Sequence, residues 1–477
     1  MKTLNRTIAL ALLSLGTACA AHAVEFKPCP EAATDPALAG SVCAVEQVPA
    51  DPSGAAGGAG TPGTVSLFVR KFPAPGVARG QVWMIHGGPG EPGAGFYALV
   101  PTLRETFPGF DLVMPDHRGT GFSTRMCPLE EAPASPAGTA LEGAEWVSCY
   151  AHLNANPAHT RQFSLTNAAH DLKRLLERTP RKGKTYVYGV SYGTQLVLRT
   201  LVLGAQHIDG VILDSLVPLQ DDDKADLSRR SLVADAVGRR RLADCDADPR
   251  CSARMGERAE AVYRRVLARV DKEPQLLAAI PGGNLKQFFG NILDLPSAGS
   301  QLPYLIKDIE EGKGDWAKGV LAGVDKDMAT LGSFPQSPPS IPLVMLITAS
   351  ENNLQPGRTA KEVVAEEGDL LFASSLPGFA VNVSMPLYGR DALFAQLPAR
   401  LPPTLVIHGD RDARTPHDAA LRHIERLRKA GPVRLHTARG VGHFVLWADR
   451  GCAKAVVTSF VLGTKGRGAC AKAVLPH

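Results

Sequence analysis

The chain has 477 residues, with 52 Lys and Arg against 47 Asp and Glu, a formal net charge of +5. Over this length that is close to neutral, so charge names no polyanionic partner. Beyond the N-terminus no stretch approaches the roughly 18 apolar residues of a membrane span, which excludes a transmembrane helix and predicts a soluble mature protein.

In chain order, residues 1–23 (MKTLNRTIALALLSLGTACAAHA) carry Lys2 and Arg6, an apolar run from Ile8 to Leu15, and Ala21-His22-Ala23. That layout is a secretory signal peptide of bacterial appearance with an A-x-A cleavage site, and predicts a mature chain beginning at Val24, exported to the periplasm or the medium. Cys19 raises a lipoprotein alternative, but Gly16 stands where such sites want a leucine. Removing 23 of 477 residues leaves 454, and losing Lys2 and Arg6 takes the net charge from +5 to +3. Of nine cysteines one leaves with this segment. The eight that remain suggest four local disulfides: Cys29 with Cys43, Cys127 with Cys149, Cys245 with Cys251, and Cys452 with Cys470. No C-x-x-C or zinc-like Cys/His spacing occurs, so no metal site is expected.

Short apolar runs at 81–88, 111–119, 184–191, 209–215 and 403–410 end in glycine, histidine or acid, and helix-like stretches such as 165–179 and 192–204 separate them. Continuous apolar runs suit parallel strands covered on both faces, so the fold class is α/β with a mostly parallel sheet. Polar residues at the carboxyl ends of such strands line the site. From Asp214 to Thr404 the rhythm breaks for 190 residues, where a strand-helix-strand step needs only about 30. Helix-like charged stretches and the Pro-rich joint 334–342 fill the gap, and the α/β pattern resumes after it. The expected organisation is therefore a signal peptide (1–23), a core in two parts (24–215 and 399–477), and a mainly helical cap inserted at 216–398. The segment 51–63 is a surface loop. Arg239, Arg240 and Arg241, with Arg229 and Arg230 upstream, are expected to form a solvated helix face, since no aromatics interleave them.

Gly189-Val190-Ser191-Tyr192-Gly193 fits G-x-S-x-G, the elbow that exposes a serine where a strand turns into a helix. With 47 glycines in the chain such a pentapeptide arises by chance roughly 0.2 times, so it needs context. The context follows downstream, with Asp412 just past a strand end and His443 in a glycine-flanked loop, in the chain order of α/β-hydrolases. Asp410 competes for the acid role, and the G-x-x-D arrangement after the strand favours Asp412. Upstream, His86-Gly87-Gly88-Pro89-Gly90 has few side chains to obstruct its backbone. Acyl transfer needs two N–H donors at the oxyanion, one after the nucleophile and one from such a loop, which points to Tyr192 and Gly88.

HGGPG (86–90), DHRGTGFS (116–123), GVSYGT (189–194), GDRDARTP (409–416) and GVGHF (440–444) together resemble the prolyl iminopeptidase and tripeptidyl aminopeptidase branch of the α/β-hydrolase serine peptidases. The resemblance spans the core on both sides of the insertion. It implies an α/β-hydrolase fold with a helical cap and release of residues from a free peptide N-terminus. By motif position it implies Ser191, Asp412 and His443 as triad, with Gly87, Gly88 and Tyr192 forming the oxyanion hole. Two positions depart from the pattern: Glu91 follows HGGPG where a small residue is usual, and Tyr192 stands where prolyl iminopeptidases often have tryptophan, which leans towards the tripeptidyl branch. In the family, glutamates of the cap recognise the substrate ammonium; Glu351, Glu91, Glu366 and Glu367 are candidates here. Asp116 and Arg118 are expected to brace the oxyanion loop as an ion pair.

The resulting expectation is an exported serine aminopeptidase with no cofactor or metal, acting on peptides and not on nucleic acid; oligomeric state is not legible. An esterase or amidase of small hydrophobic substrates would use the same triad and differ in not needing a free amine. A catalytically silent binding module on the same fold predicts a broken triad, and none of its members is missing.

Overall fold

The computed structural model describes residues 23–54, 63–270, 272–273, 283–313, 315–331, 334, 339–381, 383–449 and 451–464. The expected signal peptide up to residue 22, the middle of the 51–63 loop and Cys470 lie outside them.

Nine strands form one sheet: β1 (Lys27–Pro28), β2 (Val42–Pro49), β3 (Thr64–Phe72), β4 (Gly80–Ile85), β5 (Phe110–Pro115), β6 (Lys184–Val190), β7 (Gly210–Asp214), β8 (Thr404–Gly409) and β9 (Val433–Ala438). Their spatial order is β1-β2-β3-β5-β4-β6-β7-β8-β9. From β5 to β9 every pairing is parallel, whereas β1, β2 and β3 join by antiparallel ladders. The architecture is the α/β-hydrolase fold. The antiparallel N-terminal strands are an addition to the sequence reading. β2 alternates buried with more exposed positions, and β3 breaks its apolar residues with Ser66, Arg70 and Lys71, so neither shows the continuous apolar run by which the parallel strands were recognised.

β4, β6, β7 and β8 are buried almost throughout because helices cover both faces. Alternate side chains feed two cores: Val82, Met84, Tyr186 and Tyr188 enter one, and Trp83, Ile85 and Val187 the other. The helix Leu165–Arg178 shows how a segment earns its place. Ser164 caps it by accepting from the Asn167 N–H, and Leu165, Ala168, Ala169, Leu172, Leu175 and Leu176 make one buried stripe at helical spacing.

Between β7 and β8 every described element is a helix, including Arg230–Ala247, Leu285–Ile292, Leu302–Glu311 and Ile341–Glu351. The last of these is buried over nearly its whole length, and its Leu343, Met345, Leu346 and Ile347 belong to the same core as Tyr192 and Leu196. Cys29–Cys43, Cys127–Cys149 and Cys245–Cys251 are disulfides, as the spacing suggested. No described helix is long and apolar enough to cross a membrane.

The chain leaves β4 for β5 on one side and returns to β6 on the other, so the strand order reverses at β4. Such a switch point opens a crevice at the carboxyl ends of the strands. β4, β6, β7 and β8 end nearly level there, with Ile85 paired to Gly189, Val190 to Asp214 and Asp214 to Ile407.

Candidate active site

Ser191 lies between β6 and the helix Tyr192–Val202 with φ 54° and ψ −126°, a conformation costly to a residue with a Cβ and kept only where the surroundings enforce it. Here they do so closely. The Ser191 N–H donates to the Asp214 carbonyl at 3.0 Å, and its own carbonyl accepts from Thr194 Oγ1 at 2.7 Å. At Gly193 a Cβ would stand 2.3 Å from the Ile85 carbonyl oxygen, so the elbow can approach β4 only with glycine there.

Asp412 leaves β8 in a tight loop. Its Oδ1 accepts from the N–H groups of Arg414 and Thr415 at 2.8 and 2.6 Å, and its Oδ2 from Thr415 Oγ1 at 2.7 Å. Oδ2 also meets His443 Nδ1 at 2.9 Å. Burial alone would raise this carboxyl, but His443, His408 and the N–H donors outweigh it and hold the group well below the usual carboxylate range. Asp410 faces elsewhere, accepting from the Gly440 N–H at 2.6 Å and pairing with Arg411.

The loop bearing His443 is fastened by two acids the sequence reading passed over. Asp214 accepts from the N–H groups of Val445 and Leu446 at 2.8 and 2.9 Å and from the Tyr188 hydroxyl at 2.7 Å. Asp294 accepts from the Ala413 N–H at 2.8 Å and the His443 N–H at 3.3 Å, joining the two loops. Asp214 was visible as a polar strand end. Asp294 sits in the helical insertion, where no motif marks it.

In the HGGPG loop Gly88 has φ 106°, and a Cβ there would fall 2.2 Å from the Gly90 N. The Gly87 N–H is engaged, donating at 2.9 Å to His86 Nδ1, while the Gly88 N–H has no partner among the described residues. Tyr192, the first residue of its helix, has an N–H with no intrahelical acceptor. Burial lowers His86 to about 3, so its ring is neutral, and with Nδ1 accepting it carries its proton on Nε2.

The expected Asp116–Arg118 ion pair is not formed. Arg118 instead grips Asp171 with two bonds of 2.7 Å and donates to the carbonyls of Ala50 and Gln162. Asp116 braces the segment after the oxyanion loop, accepting from the Gly93 and Phe122 N–H groups at 2.8 and 2.9 Å. The two side chains leave their turn in different directions, one under the loop and the other into the layer of the helix Leu165–Arg178.

A cavity of about 240 Å³ has Ser191, His443, Gly88, Tyr192 and Glu91 on its wall, and Asp412 stands directly behind the imidazole. Glu91 opens onto it half-buried, and burial pushes its carboxyl up to about 7. Glu351 is not part of the wall, although its neighbours Thr348 and Asn352 are; its carboxylate is buried against Arg199 at 3.2 Å. Glu366 pairs with Arg229 and Arg358 at 2.8 and 3.0 Å, and Glu367 accepts from Gln287 at 2.9 Å. The arginine cluster is not a uniformly solvated face. Arg239 pairs with Asp235 and Glu260, Arg241 is buried and donates to the Gly440 carbonyl, and Arg230 is buried at the cavity wall. His436, Asp449 and Cys452 come within 4.8 Å of one another, but the Cys452 sulfur is disulfide-bonded and is no thiolate ligand.

The fold is that of the α/β-hydrolases, and residues 82–241 match the family model described as alpha/beta hydrolase fold. Residues 383–467 match the model described as TAP-like protein. No curated protein matches the sequence. Solved structures similar to it include a thermophilic esterase from Thermogutta terrifontis (15 % identity, 88 % of this chain and 98 % of that one, TM-score 0.37). A proline iminopeptidase of Mycobacterium smegmatis (15 %, 88 % and 98 %, 0.38) and a laboratory-evolved potato epoxide hydrolase (14 %, 84 % and 96 %, 0.37) are equally distant. Likenesses this remote carry no argument about activity.

Proposed function

We propose that the protein is an exported serine aminopeptidase that releases N-terminal residues, singly or as tripeptides, through an acyl-enzyme on Ser191. The observation that carries this reading is the 2.9 Å contact of Asp412 Oδ2 with His443 Nδ1, behind an imidazole that shares its cavity with an elbow serine. With Nδ1 held by Asp412, Nε2 is the nitrogen left to take the Ser191 proton as Oγ attacks the scissile carbonyl. The tetrahedral oxyanion is met by the N–H groups of Gly88 and Tyr192, the first without a partner among the described residues and the second without an intrahelical acceptor. His443 returns the proton to the departing amine, then takes one from the water that hydrolyses the ester.

Selection of a free N-terminus needs a carboxylate at the cavity, and Glu91, on the wall, is better situated for it than Glu351, which Arg199 occupies. The helical insertion between β7 and β8 acts as the cap that limits access to peptide ends. Three disulfides support an oxidising compartment.

The test is hydrolysis by the mature protein of proline, alanine and tripeptide anilides with free and acetylated N-termini, beside a short-chain ester, with Ser191→Ala as control. Cleavage confined to free-amine anilides and abolished by Ser191→Ala is expected, and the preferred length names the branch. Equal or faster turnover of blocked substrates or of the ester would replace the peptidase reading with an esterase or amidase, a reading the apolar residues Leu295, Val344 and Trp447 on the wall also accommodate.

A further inference from the structure

Arg230 opens the helix Arg230–Ala247 of the insertion and lines the same cavity as Ser191, yet only 3 % of it is exposed. One nitrogen, Nη2, reaches the Ala225 carbonyl at a long 3.4 Å, while Nε and Nη1 have no hydrogen-bond partner. Asp412, Asp226 and Asp294 act on it through space, but none hydrogen-bonds it: Asp412 is spent on His443 and Thr415, Asp226 on Ser228 and Leu354, and Asp294 turns Oδ1 to the Ala413 N–H and Oδ2 to the Arg414 ion pair. The second arginine of the wall, Arg414, is already paired with Asp294 at 3.3 Å. Arg230 is therefore a buried guanidinium with two nitrogens, Nε and Nη1, uncommitted, a state that burial penalises unless something else occupies them.

We propose that Arg230 is the binding group for a carboxylate of the substrate. A guanidinium offers planar, parallel N–H donors that match a carboxylate in two-pronged fashion. Resting on the aminopeptidase reading, this narrows the substrate class to short peptides bearing a negative charge near the cleaved bond, either a free C-terminal carboxylate or an acidic side chain. The wall then answers both charges of a zwitterion, Glu91 the ammonium and Arg230 the carboxylate. A cavity of about 240 Å³, below the usual span of roughly 300–1,000 Å³ for ligand sites, keeps those charges within a few residues of each other.

The experiment compares kcat/KM for tetraalanine, which either branch can cut, its C-terminal amide, the N-acetylated twin of each, and an amide carrying an internal aspartate, using the mature protein and the variants Arg230→Gln and Arg230→Lys. The mature protein is expected to favour the free acid over the amide by about tenfold or more, the scale of one charged hydrogen-bonded pair, and this ratio should fall to near one in Arg230→Gln. Arg230→Lys keeps the buried charge and loses the fork, and should lie between. If the aspartate-bearing amide is the preferred substrate, the carboxylate is a side chain and not the C-terminus. Equal rates on acid, amide and aspartyl amide, or a preference that survives in an Arg230→Gln protein with native melting behaviour, would overturn the assignment. The acetylated twins report separately on the amine, so the peptidase reading can fall while the carboxylate preference stands, and the reverse.

Discussion

Asp412 and Glu91 are both carboxylates at one cavity, and their surroundings drive them apart. Asp412 is held ionised by His443 and its N–H donors, so it can fix the imidazole with Nδ1 protonated and Nε2 free. Asp412→Asn keeps the shape and presents an amide that favours the wrong tautomer; a drop of about 10⁴-fold in kcat with little change in KM is expected, read from steady-state turnover. Glu91, raised to about 7 by burial, is neutral below that pH. If it receives the ammonium, the ratio of free-amine to acetylated turnover rises as pH climbs through about 7, and Glu91→Gln flattens the rise; taking the ratio cancels every effect common to both substrates. The sign for stability is opposite. An acid whose folded value lies above its unfolded one costs stability as pH rises from about 4.5 towards 7, so Glu91→Gln should raise the melting temperature more at pH 8 than at pH 5.

Among the elements, the strand-exit loops were the legible part. The elbow after β6, the HGGPG loop after β4 and the acid after β8 are local patterns in which a few glycines and one polar side chain declare a turn at a strand end. Residues 191, 412 and 443 were named from such patterns, and the fold gathers them at one crevice. What was illegible depends on distant partners. Arg118 was read against Asp116, two residues away, when its mate Asp171 lies 53 residues on, on a helix whose register no motif in the loop reports. Arg230 read as one charge of a basic run, because burial beside a cavity is set by the packing of the whole insertion. Asp294 had no signal. The Arg118–Asp171 pair allows a measurement at this scale. Arg118→Met leaves Asp171 buried without its cation, with the carbonyls of Ala50 and Gln162 undonated, and should cost about 3–5 kcal/mol in denaturant unfolding.

At the scale of the molecule, the insertion and the sheet share their interior. The helix Ile341–Glu351 lies in the core that backs the elbow helix, the Ser340 N–H bonds to the Gly90 carbonyl of the HGGPG loop at 3.0 Å, and Asp294 ties the acid and histidine loops together. An insertion built this way cannot melt off a persistent core. Calorimetry should therefore show one unfolding transition; two well-separated peaks would mean that the insertion folds by itself. The same interleaving bears on Asp214, whose carbonyl takes the Ser191 N–H while its carboxylate takes those of Val445 and Leu446. Ser191 and the loop of His443, the proposed nucleophile and base, are thus surveyed from a single datum on β7. When the sheet flexes both are carried with it, so the gap a proton must cross varies less than the position of either group.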